Sequence, residues 1–202
     1  QAAILLSLQP EMSDLKRAVA YVPETMRRKP ACSGLRNMVA DCLAEGAAKA
    51  TGKKIDVAFT NEGCIRVDFL QGYLLEEDLM AVLPFKNKII VGPMKGSNLT
   101  KLFEQMAREG IQAFSGATVT VKDKSLVELS VEGKPVCPDK LYTVASVDFL
   151  LDGGDKYFFR DLYESYETTG MLIIDPLRER VTALGKAGKP VSQKPDGRLT
   201  IL

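Results

Sequence analysis

The sequence predicts an α+β fold in which helices pack on a mixed β-sheet. Three observations carry this expectation. Apolar side chains recur at helical spacing in two segments before residue 111, the pattern turns to period two from there to residue 151, and a capped helical pattern returns near Asp175. A chain of 202 residues with 46% apolar content builds one ordinary core. A single domain over 1–202 is therefore expected, with 1–30 as an N-terminal extension or linker and 31–202 as the core.

The elements follow in order. Residues 1–30 alternate weakly: AILLSL reads as a strand and YVPETMRRKP as a loop with two prolines and a cationic RRK cluster. In LRNMVADCLAEGAAKATG, the residues Leu35, Met38, Val39, Cys42 and Leu43 fall at the spacing of an amphipathic helix, which Gly52 closes. IDVAFTN, 55–61, reads as a short buried strand running into a loop signalled by Asn61 and Gly63. LLEEDLMAVLP gives a brief helix stopped by Pro84, and KIIVGPM a strand. SNLTKLFEQMAREG gives a further helix, capped by Ser97 or Asn98 and stopped by Gly110, with Leu99, Leu102, Phe103 and Met106 in its stripe. ATVTVKD, LVELSVEGKPV and KLYTVASVDFLL follow as a meander of strands separated by KDKS and EGK turns. IIDPLRERVTALGKAG offers Asp175 as N-cap, Pro176 at the first helical position and Gly185 as the stop, before a polar tail.

Composition removes several classes of function. The 27 lysines and arginines balance 26 aspartates and glutamates, so no field over the whole chain argues for a nucleic acid polymer or an anionic membrane. Histidine is absent, which removes the commonest general base and the commonest zinc ligand. The four cysteines, Cys32, Cys42, Cys64 and Cys137, match neither a redox nor a zinc spacing and read as buried or unpaired thiols. No apolar run approaches the roughly 18 residues of a membrane helix, so no membrane insertion is expected. The first residue is Gln1 rather than methionine, which reads as a mature or trimmed form.

Three stretches carry residues suited to holding a ligand. In DFLLDGGDKYFF, Gly153 and Gly154 allow positive φ and close approach, Asp155 could accept two hydrogen bonds from a vicinal diol, and Phe149 offers a flat apolar face. The alternative is a tight turn with Phe149 in the core. VLPFKNK sets Phe85 after a stiffening proline, with Asn87 two residues on. Two aromatics from two loops could sandwich a nucleobase, although Phe85 alone reads equally as a core plug. TNEGCIRVD places Asn61, Gly63 and Arg66 at a strand end, where a guanidinium could grip sugar hydroxyls or a phosphate, or else pair with Asp68. None of the three supplies a nucleophile with its base, a phosphate-cradling GxxxxGK loop or a metal cluster, so no catalytic residue and no metal ligand is expected in this chain.

SGLRNMVADCL, DVAFTNEGCIR, LMAVLPFKNKIIV, GSNLTKLFEQ, GKPVCPDKLYTVASVDFLLDGGDKY and PVSQKPDGRLTI, in this order from about residue 30 to the end, resemble the C-terminal domain of the 5'-nucleotidase/UDP-sugar hydrolase family. The resemblance implies that family's α+β fold and a nucleoside clamp: Phe85 and Phe149 stack on the base, Asn87 faces it, Asp155 in its Gly153–Gly154 turn holds the ribose hydroxyls, and Asn61 with Arg66 contacts the sugar or phosphate side. It implies a nucleoside or nucleoside 5'-phosphate as ligand, and a metallophosphatase domain or subunit as partner, in which alone the divalent metals would sit; no cofactor is expected in this chain. It also implies a periplasmic, cell-surface or secreted setting. A stand-alone nucleoside or nucleotide binder without catalysis is the alternative, and a scaffold with a closed pocket a third reading. The sequence departs from the family pattern at Glu62 and Cys64, where NGGGIR has glycines, at Lys156, where glycine is usual, and at Arg36, where LGNL has glycine. Ala31 stands where an arginine is often found, and Arg36 or Arg28 could substitute for it.

Overall fold

The computed structural model describes residues 14–151, 153–156 and 159–202. The strand expected in AILLSL lies outside them. Among the described residues the elements run from β1 (Ala18–Val22) to α1 (Gly34–Thr51) and onward. Helix α1 starts where the Ser33 hydroxyl accepts the Arg36 N–H at 3.3 Å, and ends at Gly52, whose left-handed φ of 68° lets its N–H reach the Ala48 carbonyl. The expected amphipathic face is a correction: every residue from Leu35 to Ala40 is buried, Arg36 and Asn37 included, because α1 packs against the central sheet on one side and another helix beyond.

Strand β2 (Val57–Thr60) is buried throughout and runs into a one-turn 3₁₀ segment, Glu62–Cys64. Strand β3 (Gly72–Leu75) then pairs antiparallel with β1, Tyr21 opposite Tyr73. Neither strand shows in the sequence pattern, where 21–30 reads as a loop and a helix starts at 74; each is short and one face of the ribbon stays exposed. After α2 (Glu76–Val82) come β4 (Lys88–Lys95) and α3 (Gly96–Glu109). Helix α3 opens one residue before the expected caps, with Lys95 at the N-cap and no capping side chain. Gly96 is needed there by contact, since a Cβ would fall 2.0 Å from the Cys137 carbonyl.

The period-two region yields β5 (Ala113–Ser115), β6 (Ala117–Lys122), β7 (Ser125–Val131), β8 (Lys134–Pro135) and β9 (Leu141–Val147). Only β6, β7 and β8 form the expected meander; β9 leaves it to sit inside the central sheet between β4 and β2. Its residues Val144 to Val147 are all buried, which a solvent-facing hairpin strand does not offer. Strand β10 (Glu167–Leu172), ETTGML, was not expected; it has no apolar alternation because it is an edge strand. Helix α4 (Ile174–Lys186) includes Asp175, which accepts the Leu172 N–H at 2.9 Å from inside the first turn, and it runs through Gly185, the expected stop. The tail ends in β11 (Leu199–Ile201), which pairs parallel with β6.

The central sheet thus has the order β10-β4-β9-β2-β5, with β2 and β9 parallel and the other neighbours antiparallel. A second sheet, β11-β6-β7-β8, stands beside it. This is a mixed-sheet α+β architecture with four helices among the described residues. No helix among them is long and apolar enough to cross a membrane.

Candidate functional site

One end of the central sheet collects all three candidate stretches, and the strand directions are the reason. Strands β2 and β9 are parallel, so the segments that follow them, from Asn61 and from Asp148, leave on the same side. Strand β4 runs opposite to β9, with Ile89 paired to Val147, so the segment that precedes β4, carrying Phe85 and Asn87, arrives there too. Asp148 ties two of these segments together, its Oδ1 accepting the backbone N–H groups of Lys88 at 3.0 Å and Phe149 at 2.9 Å.

The three segments enclose a cavity of about 160 Å³ lined by Asn61, Gly63, Cys64, Arg66, Phe85, Asn87, Phe149 and Asp155. All six side chains singled out from the sequence face this one space. Phe85 and Phe149 are each 46% exposed, so neither is the core plug that was the alternative. The Arg66 guanidinium lies 5.9 Å from the Phe85 ring centroid and its Nη1 donates to the Gly63 carbonyl at 3.1 Å. The alternative pairing with Asp68 is not formed: Asp68 Oδ1 accepts the Arg28 N–H at 2.8 Å instead.

Gly153 and Gly154 do not line the cavity but shape its wall. Gly153 has φ of 95°, and a Cβ on Gly154 would sit 2.6 Å from two carbons of the Phe149 ring and 2.3 Å from its carbonyl oxygen. Asp155 and Lys156 follow at φ of 51° and 66°, two consecutive left-handed residues that are not glycine. Strain of this kind, on the order of 1–3 kcal/mol per residue, persists where the surroundings over-determine it. Two contacts hold the turn here: the Lys156 N–H donates to the Gly153 carbonyl at 3.1 Å, and Asn61 Nδ2 donates to Asp155 Oδ2. Gly63 passes beneath that bond so closely that a Cβ would lie 2.8 Å from Asp155 Oδ2.

Two of the departures from the family pattern meet each other. The Glu62 carboxylate pairs with the guanidinium of Arg36, and Lys29 Nζ stands 3.5 Å from its other oxygen. Partial burial pushes the Glu62 carboxyl up, but the hydrogen bond and charge of Arg36, with Lys29 behind it, outweigh that and hold it below the usual carboxylate range. Arg36 is therefore engaged inside the protein and is not a free replacement for an arginine at position 31. Cys64 lines the cavity without having been singled out as a contact; the only signal for it was its replacement of a glycine. Burial pushes its thiol up to about 11, so at neutral pH it is an uncharged thiol beside the Thr60 hydroxyl at 3.3 Å.

The arrangement is a small cleft with two aromatic faces and a polar floor. Among the described residues no group of three or more cysteines and carboxylates is placed to hold a metal ion. Residues 16–161 match the sequence model of the family described as 5'-nucleotidase, C-terminal domain. The chain belongs to that family. Among curated relatives of this 5'-nucleotidase C-terminal domain, Protein UshA of Yersinia enterocolitica is 27% identical over 140 residues, covering 67% of this chain and 26% of the relative. Protein UshA of Escherichia coli is 28% identical over 137 residues, 65% of this chain and 25% of that protein. The chain thus spans about a quarter of the length of these relatives. Of the solved structures, the 5'-nucleotidase precursor of Thermus thermophilus superposes with a TM-score of 0.83 at 21% identity, over 100% of this chain and 42% of that one. The sulfate thiohydrolase SoxB of the same organism shares the fold with a TM-score of 0.71 at 16% identity, over 100% of this chain and 38% of the other.

Proposed function

We propose that this chain is the nucleotide-recognition part of a 5'-nucleotidase-type phosphomonoester hydrolase, holding a nucleoside or nucleoside 5'-phosphate by base and ribose while a metallophosphatase domain or subunit carries out hydrolysis. The observation that carries the reading is the pair of half-exposed phenylalanines, Phe85 and Phe149, brought by separate segments to one cavity with Asn61, Arg66, Asn87 and Asp155. Singly exposed apolar side chains are ordinary, but two rings gathered with a few convergent polar groups in one concave space are what a ligand pocket presents. The space supports the same reading. At about 160 Å³ it is smaller than the roughly 300 Å³ of pockets that enclose a drug-sized ligand, so it takes a ring and leaves the rest of a nucleotide outside.

Each polar group then has a role that its chemistry permits. A base stacks between the rings, a contact worth ~1–3 kcal/mol per base and indifferent to which base it is. Asn87 offers a donor and an acceptor to the base edge. Asp155, already oriented by Asn61, turns its remaining acceptor capacity to the ribose hydroxyls. Arg66 stands at the wall as a fixed cation on the sugar or phosphate side. The metal-assisted step belongs to the partner.

Calorimetric titration of the chain with adenosine, uridine and AMP checks the recognition, and phosphate release from AMP with added divalent metal checks the division of labour. Binding of at least one of the three with no phosphate release is expected. Failure to bind any nucleoside or nucleotide would overturn the first half, and enzyme-like phosphate release by the purified chain the second.

A further inference from the structure

The contact between Arg36 and Glu62 has a consequence for the ribose side of the cavity. Arg36 is 2% exposed, in the first turn of α1, and each of its nitrogens is used: Nε donates to the Arg28 carbonyl at 2.7 Å, Nη1 to the Ile111 carbonyl at 3.1 Å, and Nη2 pairs with Glu62. Glu62 is held from a second side, its backbone N–H donating to Gln112 Oε1 at 2.6 Å. The 3₁₀ turn Glu62–Cys64 is thereby fixed to α1 and to the segment before β5. That turn carries the cavity floor. Asn61, one residue before Glu62, donates to Asp155 Oδ2, and Gly63, one residue after, lies so close that a Cβ on it would stand 2.8 Å from the same carboxylate oxygen.

The aromatic walls have a different anchorage. Phe85 and Phe149 belong to the segments joined by Asp148 at the start of β4 and the end of β9. Perturbing the Glu62 turn therefore acts on Asp155 directly, and on Phe85 only through Arg66, whose Nη1 donates to the Gly63 carbonyl and whose guanidinium lies 5.9 Å from the ring centroid.

We infer that Arg36 and Glu62 act together as positioning residues, setting the Asn61–Asp155 contact and hence the recognition of ribose rather than of the base. The two charges compensate each other, so the pair acts as a unit. A buried guanidinium that loses its carboxylate is left uncompensated and the turn above it shifts. The inference rests on the nucleoside reading given above.

The test compares Arg36→Met, Glu62→Gln and Asp155→Asn in the full chain, each titrated with the nucleoside that the unaltered chain binds and with its 2',3'-dideoxy analogue, beside thermal melts. The unaltered chain is expected to favour the ribonucleoside roughly tenfold, equivalent to about 1.4 kcal/mol. Asp155→Asn should erase that preference. Glu62→Gln, which keeps size and an acceptor for Arg36 but loses the charge, should erase most of it while dideoxynucleoside affinity stays within about twofold. The double variant Glu62→Gln/Asp155→Asn should bind no worse than Asp155→Asn alone, because the first change acts through the second residue. Should Arg36→Met fail to fold, Glu62→Gln decides. Equal weakening of both ligands by Glu62→Gln, or no change in either, with the preference still lost in Asp155→Asn, would overturn the positioning role and leave the clamp standing. An unaltered chain that binds neither ligand would remove the clamp and this inference together.

Discussion

Phe149 shows how much a single side chain's surroundings decide. Its ring is half exposed and lies against the backbone of Gly154, so little core is lost when it is removed. Phe103, by contrast, is fully buried, edge-on to Phe114 with ring centroids 5.4 Å apart. Phe103→Ala is expected to cost about 3–5 kcal/mol of stability through the cavity it leaves. Phe85→Ala and Phe149→Ala should each cost well under that, and should instead weaken nucleoside binding by ~1–3 kcal/mol per lost stacking face, with the double variant close to non-binding. Denaturant titrations of the three variants beside calorimetry are the measurement. A loss of stability for Phe85→Ala and Phe149→Ala as large as that for Phe103→Ala, with affinity unchanged in the folded fraction, would rule out the clamp.

At the scale of elements, α4 and β1 show contact overruling propensity. Gly185 lies inside α4, where alanine is intrinsically favoured by about 1 kcal/mol. A Cβ there would stand 1.9 Å from the Val19 carbonyl oxygen and 2.9 Å from its carbon, both backbone atoms of β1 that cannot turn aside. Overpacking of this kind costs roughly 1–3 kcal/mol, so the close approach outweighs the propensity. Gly185→Ala should lower the melting temperature. A rise would mean that α4 and β1 separate more readily than the packing indicates. The same approach explains why Gly185 misleads as a helix stop: a glycine near the end of a helical pattern has two uses, a left-handed cap and a close contact, and only the neighbour distinguishes them.

For the molecule as a whole, the absence of histidine and the state of the thiols bear on what chemistry the chain can host. Cys32, Cys42 and Cys64 are buried and free, while Cys137 is exposed. Burial pushes the three buried thiols up, to about 11 for Cys32, about 12 for Cys42 and about 11 for Cys64. A raised pKa keeps each of them as the neutral thiol at any pH below its own value, so none is an activated nucleophile near neutrality. A disulfide-exchange reagent at neutral pH should therefore titrate one thiol, Cys137, in the folded chain and all four after denaturation. Rapid reaction of a second thiol without unfolding would show that one of the three is reachable. If that thiol were Cys64, protection by bound nucleoside would locate it at the cavity.

The amino-acid order by itself determined the two long helices and the fold class, because period 3.6 and period 2 are local properties that survive without knowledge of neighbours. It also named six side chains that turn out to share one cavity, through segments whose glycines, prolines and aromatics mark a strand end or a turn. The tertiary structure decided what depends on partners distant in sequence. Strand β10 has no alternation to detect, β1 and β3 exist because they pair with each other, and β9 looks like the next strand of a meander until its burial places it between β4 and β2. Likewise Arg36 and Glu62, read singly, are two departures from a glycine pattern; across 25 intervening positions they become one ion pair at the turn that lines the cavity. Helical and strand periods are set by bonds between near neighbours, whereas strand order, burial and charge compensation are set by which segments the core brings together, and that information resides in no single stretch of the chain.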